Sequence, residues 1–479
     1  MTKDCPNNSR PFLPVNPSRR DILFWTVFAL FFALQMWQHI SASYALPIPW
    51  PDESHFLWQA VAFSENGSFF APQINPERAV FWMPPGFMVA VGLWLKIFGL
   101  SLGIARTFSF VMLALSFLAL AALLRQQRLP LLSLVVAGII YLNGPFAACG
   151  NNARPEAMLL CFIFCGFLLI SHRHGWKGLA LLALTPLIHP NGIYFVAGAI
   201  IYLVASRRLS ADFKKMSKFD LASLVIFALL WLAYLFYVVS NWSDFAHDMT
   251  FQIEHKSGRD IRSRLINPQS VISLLVVAAA CWYLARQKIS WGLLIAIGLP
   301  AWLAYQIGFE MWYDVLWGIG WISLSLTILY AAYHVIIERA LAGHVAFNWT
   351  LFAAVLVLVT YWNHYADTVQ AVHAYPDRMA WHGLRFPDDN VAYITDDDRA
   401  TLTHLIDSLC LADDLKTIQF LPRADAFLLP KIAGNRNLLV SHPLFCRRKP
   451  DLYVFHRSRY QPRKWGTYEI DDLKEIFEV

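Results

Sequence analysis

The sequence predicts a mainly α fold: a polytopic helical membrane protein of about 11 spans, followed by a small extracytoplasmic α/β domain. Three observations predict it. The 479 residues are 57% hydrophobic and only 15% charged, too little charge for a soluble protein of this length. Apolar runs of about 20 residues recur, the length that crosses roughly 30 Å of hydrocarbon. Basic residues fall on alternate connections between those runs, as the positive-inside rule requires.

The runs are 22–42, 103–124, 130–147, 157–171, 177–188, 192–206, 220–240, 270–287, 289–308, 311–336 and 345–363. The first is too long for the apolar core of a signal peptide and no small-residue cleavage site follows it, so it reads as an uncleaved anchor. Arg19 and Arg20 before it place the N-terminus in the cytoplasm. Arg125 and Arg128, Arg173 and Lys177, Arg207 to Lys218, Arg286 and Lys288, and Arg339 then all lie on the cytoplasmic side. This holds only if the segment from Pro84 to Phe98 does not cross. Its short apolar length allows that, and an interfacial or re-entrant helix opened by Pro84-Pro85 fits. His189-Pro190-Asn191-Gly192 breaks the two short runs around it into a helical hairpin.

Residues 1–365 therefore form the membrane domain, with an outer loop 43–102 after the first span. Residues 366–479 form the extracytoplasmic domain, with strands at Val391–Ile394, Thr417–Leu421, Asn437–Val440 and Leu452–Phe455 and a helix at Ala400–Leu411. The segment 241–267 is the other sizeable outer loop, and it is basic: Lys256, Arg259, Arg262 and Arg264. Cys149, Cys161, Cys165 and Cys281 read as core packing, whereas Cys410 and Cys446 can pair if the tail is extracytoplasmic. The net charge of +6 is accounted for by basic cytoplasmic loops and requires no nucleic acid. Sequons at Asn66 and Asn241 matter only in a eukaryotic host.

The ionisable residues near the spans gather at one depth. Asp52-Glu53-Ser54-His55 follows the first span, where neutral or basic anchors are usual. Arg106 opens the second span, Arg154 and Glu156 precede the fourth, and His189 caps the hairpin. Glu310 and Asp314 sit one helical turn apart, with Tyr313 beside them. The span centres are nearly free of charge, unlike those of ion-coupled transporters, whose sites lie near the midplane. Such a layer suits a lipid-borne donor meeting a water-soluble acceptor. Arginines or His189 neutralise a phosphate, and Asp52 or Glu53 takes a proton from the acceptor.

Four segments carry a resemblance to the GT-C superfamily of membrane glycosyltransferases, nearest the protein O-mannosyltransferases and the aminoarabinose transferases. They are Asp52-Glu53 with Phe56, Met83-Pro84-Pro85-Gly86, Ala105-Arg106 and Arg154-Pro155-Glu156-Ala157. The match covers 22–206, and the later spans by hydropathy. Two positions depart from the family: Met83 stands where a basic residue often precedes Pro-Pro, and His189 where Lys is common.

The resemblance implies an inverting transfer from a polyprenyl-phosphate sugar, in a bacterial inner membrane, to a glycan, lipid or protein acceptor. It implies Asp52 as general base with Glu53 beside it. Arg106, Arg154, His189, Arg259 and Arg262 are expected to hold the donor phosphate, and His55, Glu156, Glu310, Tyr313 and Asp314 to line the acceptor side. The resemblance fixes no cofactor. A divalent metal ion stays open, since Asp52, Glu53 and Glu156 can coordinate one only if the fold unites them.

Each residue also has a structural reading. The acidic pair can be a solvated helix start, Arg106 a headgroup anchor, and Arg154 with Glu156 a local ion pair. His189 can be a turn histidine and the loop arginines a solvated face. A flippase for a lipid-linked saccharide needs a polar path through the midplane. A non-catalytic envelope-assembly subunit would tolerate neutral changes at Asp52 and Glu53.

Overall fold

The computed structural model describes residues 18–42 and 51–257, apart from 72–73, 76, 101, 128–130, 143, 173, 207–215 and 217; it also describes 292–308 and three strands in the tail. The helices are α1 (Arg19–Ala42), α2 (Pro51–Asn66), α3 (Gly86–Phe98), α4 (Leu102–Gln126), α5 (Leu131–Tyr141), α6 (Gly144–Asn151), α7 (Pro155–Ser171), α8 (Gly175–Ala183), α9 (Thr185–Ile188), α10 (Gly192–Ala205), α11 (Lys218–Ser240), α12 (Trp242–Ser257) and α13 (Gly292–Gly308). Within α1, α4 and α11, three stretches are long and apolar enough to cross a membrane: Asp21–Ile40, Gly103–Gln126 and Leu221–Ser240. The described chain is a helical membrane protein by that measure, and α7, at 17 residues, lies at the short end of the spanning range.

Two polar layers bound the apolar bundle. At one end Asp21 of α1 pairs with Arg125 of α4, and Asp21 also accepts the Ser18 backbone N–H at 3.0 Å, capping α1. At the other end the His39 ring of α1 stacks on Phe110 of α4 at 4.3 Å. Hence α1 and α4 are antiparallel. Arg106 and Arg125 are 19 positions apart on α4, about 29 Å at 1.5 Å per residue, which matches the hydrocarbon thickness. α7 runs parallel to α4: its N-terminal turn lies beside Arg106, while Ser171 at its far end donates to Gln126 and accepts from Gln127. α7 packs against α8 through paired glycines, where a Cβ on Gly178 would stand 2.4 Å from the Gly166 carbonyl oxygen. Such close backbone approach is how helices associate without a hydrophobic driving force in lipid.

α2 and α3 lie across the Glu53 end of this bundle. They run parallel to each other, with Phe56 against Phe87 at 5.9 Å and Lys96 donating to the Ser64 carbonyl at 3.2 Å. Phe87 and Trp94, seven positions apart on α3, both reach Phe108 of α4, at 6.0 and 5.7 Å. A helix running alongside α4 would meet residues seven apart, so α3 crosses it steeply. The segment before α3 is strapped to α12. Arg78 pairs twice with Asp248 at 2.6 and 2.8 Å, Phe81 N–H donates to Asp248 at 2.7 Å, and Ala79 N–H donates to Asp244 at 3.1 Å. Gln252 donates to the carbonyls of Phe81 and Trp82. Asp244, Asp248 and Gln252 repeat every fourth residue and so share a face of α12.

Three expectations need correction. The run 130–147 is two helices, α5 and α6, because Pro145 has no N–H to continue the ladder. The short run 177–188 is likewise divided, into α8 and α9 at Leu184, where Pro186 interrupts the ladder; Trp231 of α11 donates to the freed Ala183 carbonyl at 2.8 Å. The first part of 241–267 is α12 rather than loop, held by the strap.

In the tail, β1 (Ile418–Phe420) pairs in parallel with β2 (Leu438–Leu439) and with β3 (Leu452–Val454), in the order β2-β1-β3. These strands fall within three of the segments that the sequence marks. The expected strand 391–394, the helix 400–411, the runs 270–287, 311–336 and 345–363, and Cys281, Cys410 and Cys446 lie outside the described residues. Cys149 and Cys161 are buried free thiols and Cys165 is half-buried.

The α2–α3 contact yields a test. A Cβ on Gly92 would stand 2.5 Å from the Ala60 carbonyl oxygen, so Gly92→Ala forces two helices apart. A loss of about 1–3 kcal/mol is expected, read as a lower thermal midpoint in detergent.

Candidate functional site

The bundle end under α2 collects nearly all the buried charge near the first four spans. Helix α2 begins at Pro51, a residue suited to the first helical position because its missing N–H is not needed there. Asp52 and Glu53 therefore occupy the first turn, where carboxylates oppose the positive end of the helix dipole. Glu53 is fully buried. Its Oε1 accepts from Arg106 Nε at 3.0 Å and its Oε2 from Arg106 Nη2 at 2.8 Å. Oε1 also accepts the Ala153 backbone N–H at 2.6 Å. Arg106, 1% exposed, further donates to Asn152 Oδ1 at 3.4 Å.

Beside this pair lies a second one. Arg154 is the N-cap of α7 and its side chain bonds Glu156, with Nη2 to Oε1 at 2.9 Å and Nε to the two oxygens at 3.2 and 3.3 Å. Both residues are buried. The Arg154 guanidinium carbon lies 5.9 Å from the Phe56 ring centroid, which ties α7 to α2. His189, at the C-cap of α9 and fully buried, lies within electrostatic reach of Glu156. Its Nδ1 accepts the Asn191 backbone N–H at 3.2 Å. On the α1 side, His39 Nδ1 meets Asn151 Oδ1 at 2.6 Å, and Asn151 donates to the Ala147 carbonyl at 2.9 Å.

The structure thus brings Glu53, His55, Arg106, Arg154, Glu156 and His189 to one end of the bundle, and places Asp52 in the same helical turn as Glu53. Arg106 and Arg154 are each engaged by a carboxylate, so neither presents an uncommitted guanidinium to a phosphate in this arrangement. Arg154 and Glu156 form the local ion pair that the sequence also allows. Arg259, Arg262, Glu310, Tyr313 and Asp314 lie outside the described residues. Among the described residues, no three His, Cys, Asp or Glu side chains are grouped to hold a metal ion, and Glu53 and Glu156 are both spent on arginines.

Sequence reasoning missed His39, Asn151 and Asn152 at this end, and the Arg78–Asp248 strap. Asn151-Asn152, separated from Arg154 by Ala153 alone, was a usable signal, because two amides at a span boundary need partners. Nothing in the sequence marks Arg78 and Asp248 as partners across 170 positions.

No protein-family model matches the chain, and no curated protein sequence matches it.

The buried pair predicts coupling. Arg106→Gln leaves the Glu53 carboxylate without its cation, at an expected cost of about 3–5 kcal/mol. Adding Glu53→Gln restores part of that stability, because two neutral amides replace an orphaned charge. Thermal unfolding of the single and double variants checks this, and strictly additive losses would contradict it.

His55 predicts a pH effect. Burial pushes its imidazole from an ordinary 6.5 down to about 4. A group that resists protonation when folded contributes stability in full above pH 6.5, and loses it as pH falls toward 4. The span corresponds to roughly 3 kcal/mol. His55→Gln should flatten the midpoint-against-pH curve between those values; an unchanged slope would assign the acid sensitivity to other groups.

Proposed function

We propose that this chain is a membrane glycosyltransferase of the GT-C type. It would transfer a sugar from a polyprenyl-phosphate donor to a glycan, lipid or protein acceptor at the outer face of a bacterial inner membrane. The observation that carries the reading is the acidic start of α2, with Asp52 and Glu53 in one turn. That turn sits at the end of the bundle where Arg154, Glu156 and His189 are buried together.

In this reading Asp52 is the general base and Glu53 a positioning residue. Asp52 takes the proton from an acceptor hydroxyl or amine as that atom attacks the anomeric carbon. The bond from anomeric carbon to phosphate oxygen breaks, and the phosphate leaves with the electron pair. Cationic and N–H groups aimed at that oxygen stabilise the leaving charge.

Of the two arginines, Arg154 is the better placed to receive the phosphate. Its partner Glu156 is two residues away on the same turn, so exchanging carboxylate for phosphate moves no helix. Arg106 would have to release a bond that joins α2, α4 and the 152–154 turn. The remaining topology belongs to the same proposal. The N-terminus is cytoplasmic, about 11 spans cross the bilayer, and residues 366–479 lie outside, where they recognise acceptor or partner.

The test is sugar transfer by the purified protein in liposomes, with a panel of radiolabelled undecaprenyl-phosphate sugars. Asp52→Asn is expected to lower turnover by roughly 100-fold or more with insertion and unfolding midpoint unchanged. Transfer at the wild-type rate in Asp52→Asn would remove Asp52 as base. Movement of label across the bilayer without transfer, independent of Asp52, would make the protein a flippase.

A further inference from the structure

Glu156 stands in the first turn of α7, ahead of the apolar run 157–171, and is a buried charge that joins no two elements. Its hydrogen bonds go to Arg154, two residues away, and to its own backbone N–H. Glu53 differs, since its bonds draw together α2, α4 and the 152–154 turn. Two ions taken out of water for a contact within one turn cost desolvation and secure no tertiary position. Arg154 also has anchors besides Glu156: it is the N-cap residue of α7 and faces the Phe56 ring of α2.

The start of a 17-residue helix beside a buried guanidinium suits an anion, and here the anion is the Glu156 carboxylate. A phosphate presents a guanidinium with the same pair of acceptor oxygens as a carboxylate. A second anion at this range repels the first in apolar surroundings. Burial pushes the Glu156 carboxyl up, while the charge and hydrogen bonds of Arg154 hold it below the ordinary carboxylate value. Once a phosphate engages Arg154, burial is left to decide, and the neutral carboxyl is favoured. The other groups bearing on this corner are poor places for the proton. Arg106 is committed to Glu53, and Cys149 of α6 is already a neutral thiol. A proton added to His189 Nδ1 would break the bond that this atom accepts from the Asn191 N–H.

We propose that Glu156 is an exchangeable internal anion. It occupies the Arg154 guanidinium until the phosphodiester of a lipid-linked substrate displaces it, and the displaced carboxylate takes up a proton from solution. The identity of the ligand rests on the glycosyl-transfer reading, but the exchange is measured as binding and needs no turnover.

The experiment titrates the full-length protein in detergent with farnesyl-phosphate mannose and farnesyl-phosphate glucose, phosphodiesters of fixed single charge. Heats are read between about pH 6 and 8, above the ordinary carboxylate range, in buffers of different ionisation enthalpy, which count the protons taken up. The wild type should take up close to one proton per ligand. Its affinity should fall by up to about tenfold per pH unit as pH rises, because the complex holds more protons than the free protein. In Glu156→Gln the uptake should vanish, and at about pH 8 the variant should bind roughly tenfold tighter than the wild type or better. A carboxylate with only a structural part predicts the reverse, weaker binding on its loss. Wild-type binding without proton uptake would overturn the exchange, as would uptake that persists in Glu156→Gln, or no binding of either lipid. If Glu156→Gln does not fold, Asp52→Asn and His189→Gln become the readout: uptake must survive in both, and its loss in either overturns the proposal. Equal proton-linked binding of dioleoylphosphatidylglycerol would uphold the exchange and assign it to bilayer phospholipid. Proton-linked binding of a sugar lipid by a protein that transfers no sugar would uphold the exchange and remove only the catalytic reading.

Discussion

The contact between Glu53 and Arg106 organises the end of the bundle where the chemistry is proposed. Two ions taken out of water recover the cost only when their geometry is good and their other bonding positions are filled. Glu53 takes two bonds from Arg106 and a third from the Ala153 N–H, while Arg106 spends a further donor on Asn152. Those partners come from α2, from α4 and from the turn between α6 and α7. Satisfying one carboxylate therefore sets the relative position of three segments. Asp52 precedes Glu53 and Arg154 follows Ala153, so the candidate base and the candidate phosphate ligand inherit their places from this pair.

The opposite end uses the same device more sparingly. Asp21 pairs with Arg125 and also caps α1 through Ser18, so α1 and α4 are pinned at both ends. Between the pins the contacts are aromatic or involve small residues, such as Phe28 on Phe117 at 5.1 Å. Where ladders break, side chains from other helices meet the freed groups. Gln38 reaches the Leu142 carbonyl at the α5–α6 break, and Trp231 reaches Ala183 at the α8–α9 break. This is what a chain in lipid must do, because no water will satisfy those carbonyls.

The long apolar helices were legible because hydropathy over 20 residues is an additive signal that needs no knowledge of neighbours. The gathering of Glu53, Arg106, Arg154, Glu156 and His189 at one end was legible for a related reason: each lies at a span boundary, and alternate crossings align alternate boundaries. Their pairing was not. Glu53 and Arg106 are 53 positions apart, and either could equally have faced headgroups. The break before Gly144 was hidden because Gly and Pro are tolerated near span ends, and α12 because its sequence is polar and its stability comes from the strap. Asp248 illustrates the limit: read alone it is an ordinary loop acid, yet it is 3% exposed and accepts from Arg78 and Phe81.

Polarity along α1 and α4 falls with depth in an order that burial energetics explains. Arg106 stands at the boundary, where a charge costs least and a carboxylate is at hand. Next come neutral groups, His39 with Asn151 and, without a hydrogen-bond partner among the described residues, Ser109 and Gln35. Deeper still, the Ser116 hydroxyl and the Tyr141 phenol meet at 3.0 Å, and Ser116 donates to the Leu113 carbonyl. Charge, then neutral polarity, then fully paired hydroxyls is the sequence expected if each level keeps only the polarity it can satisfy. Gln35 breaks that order, since it carries two bonding atoms at a depth where its neighbours on the same face are paired.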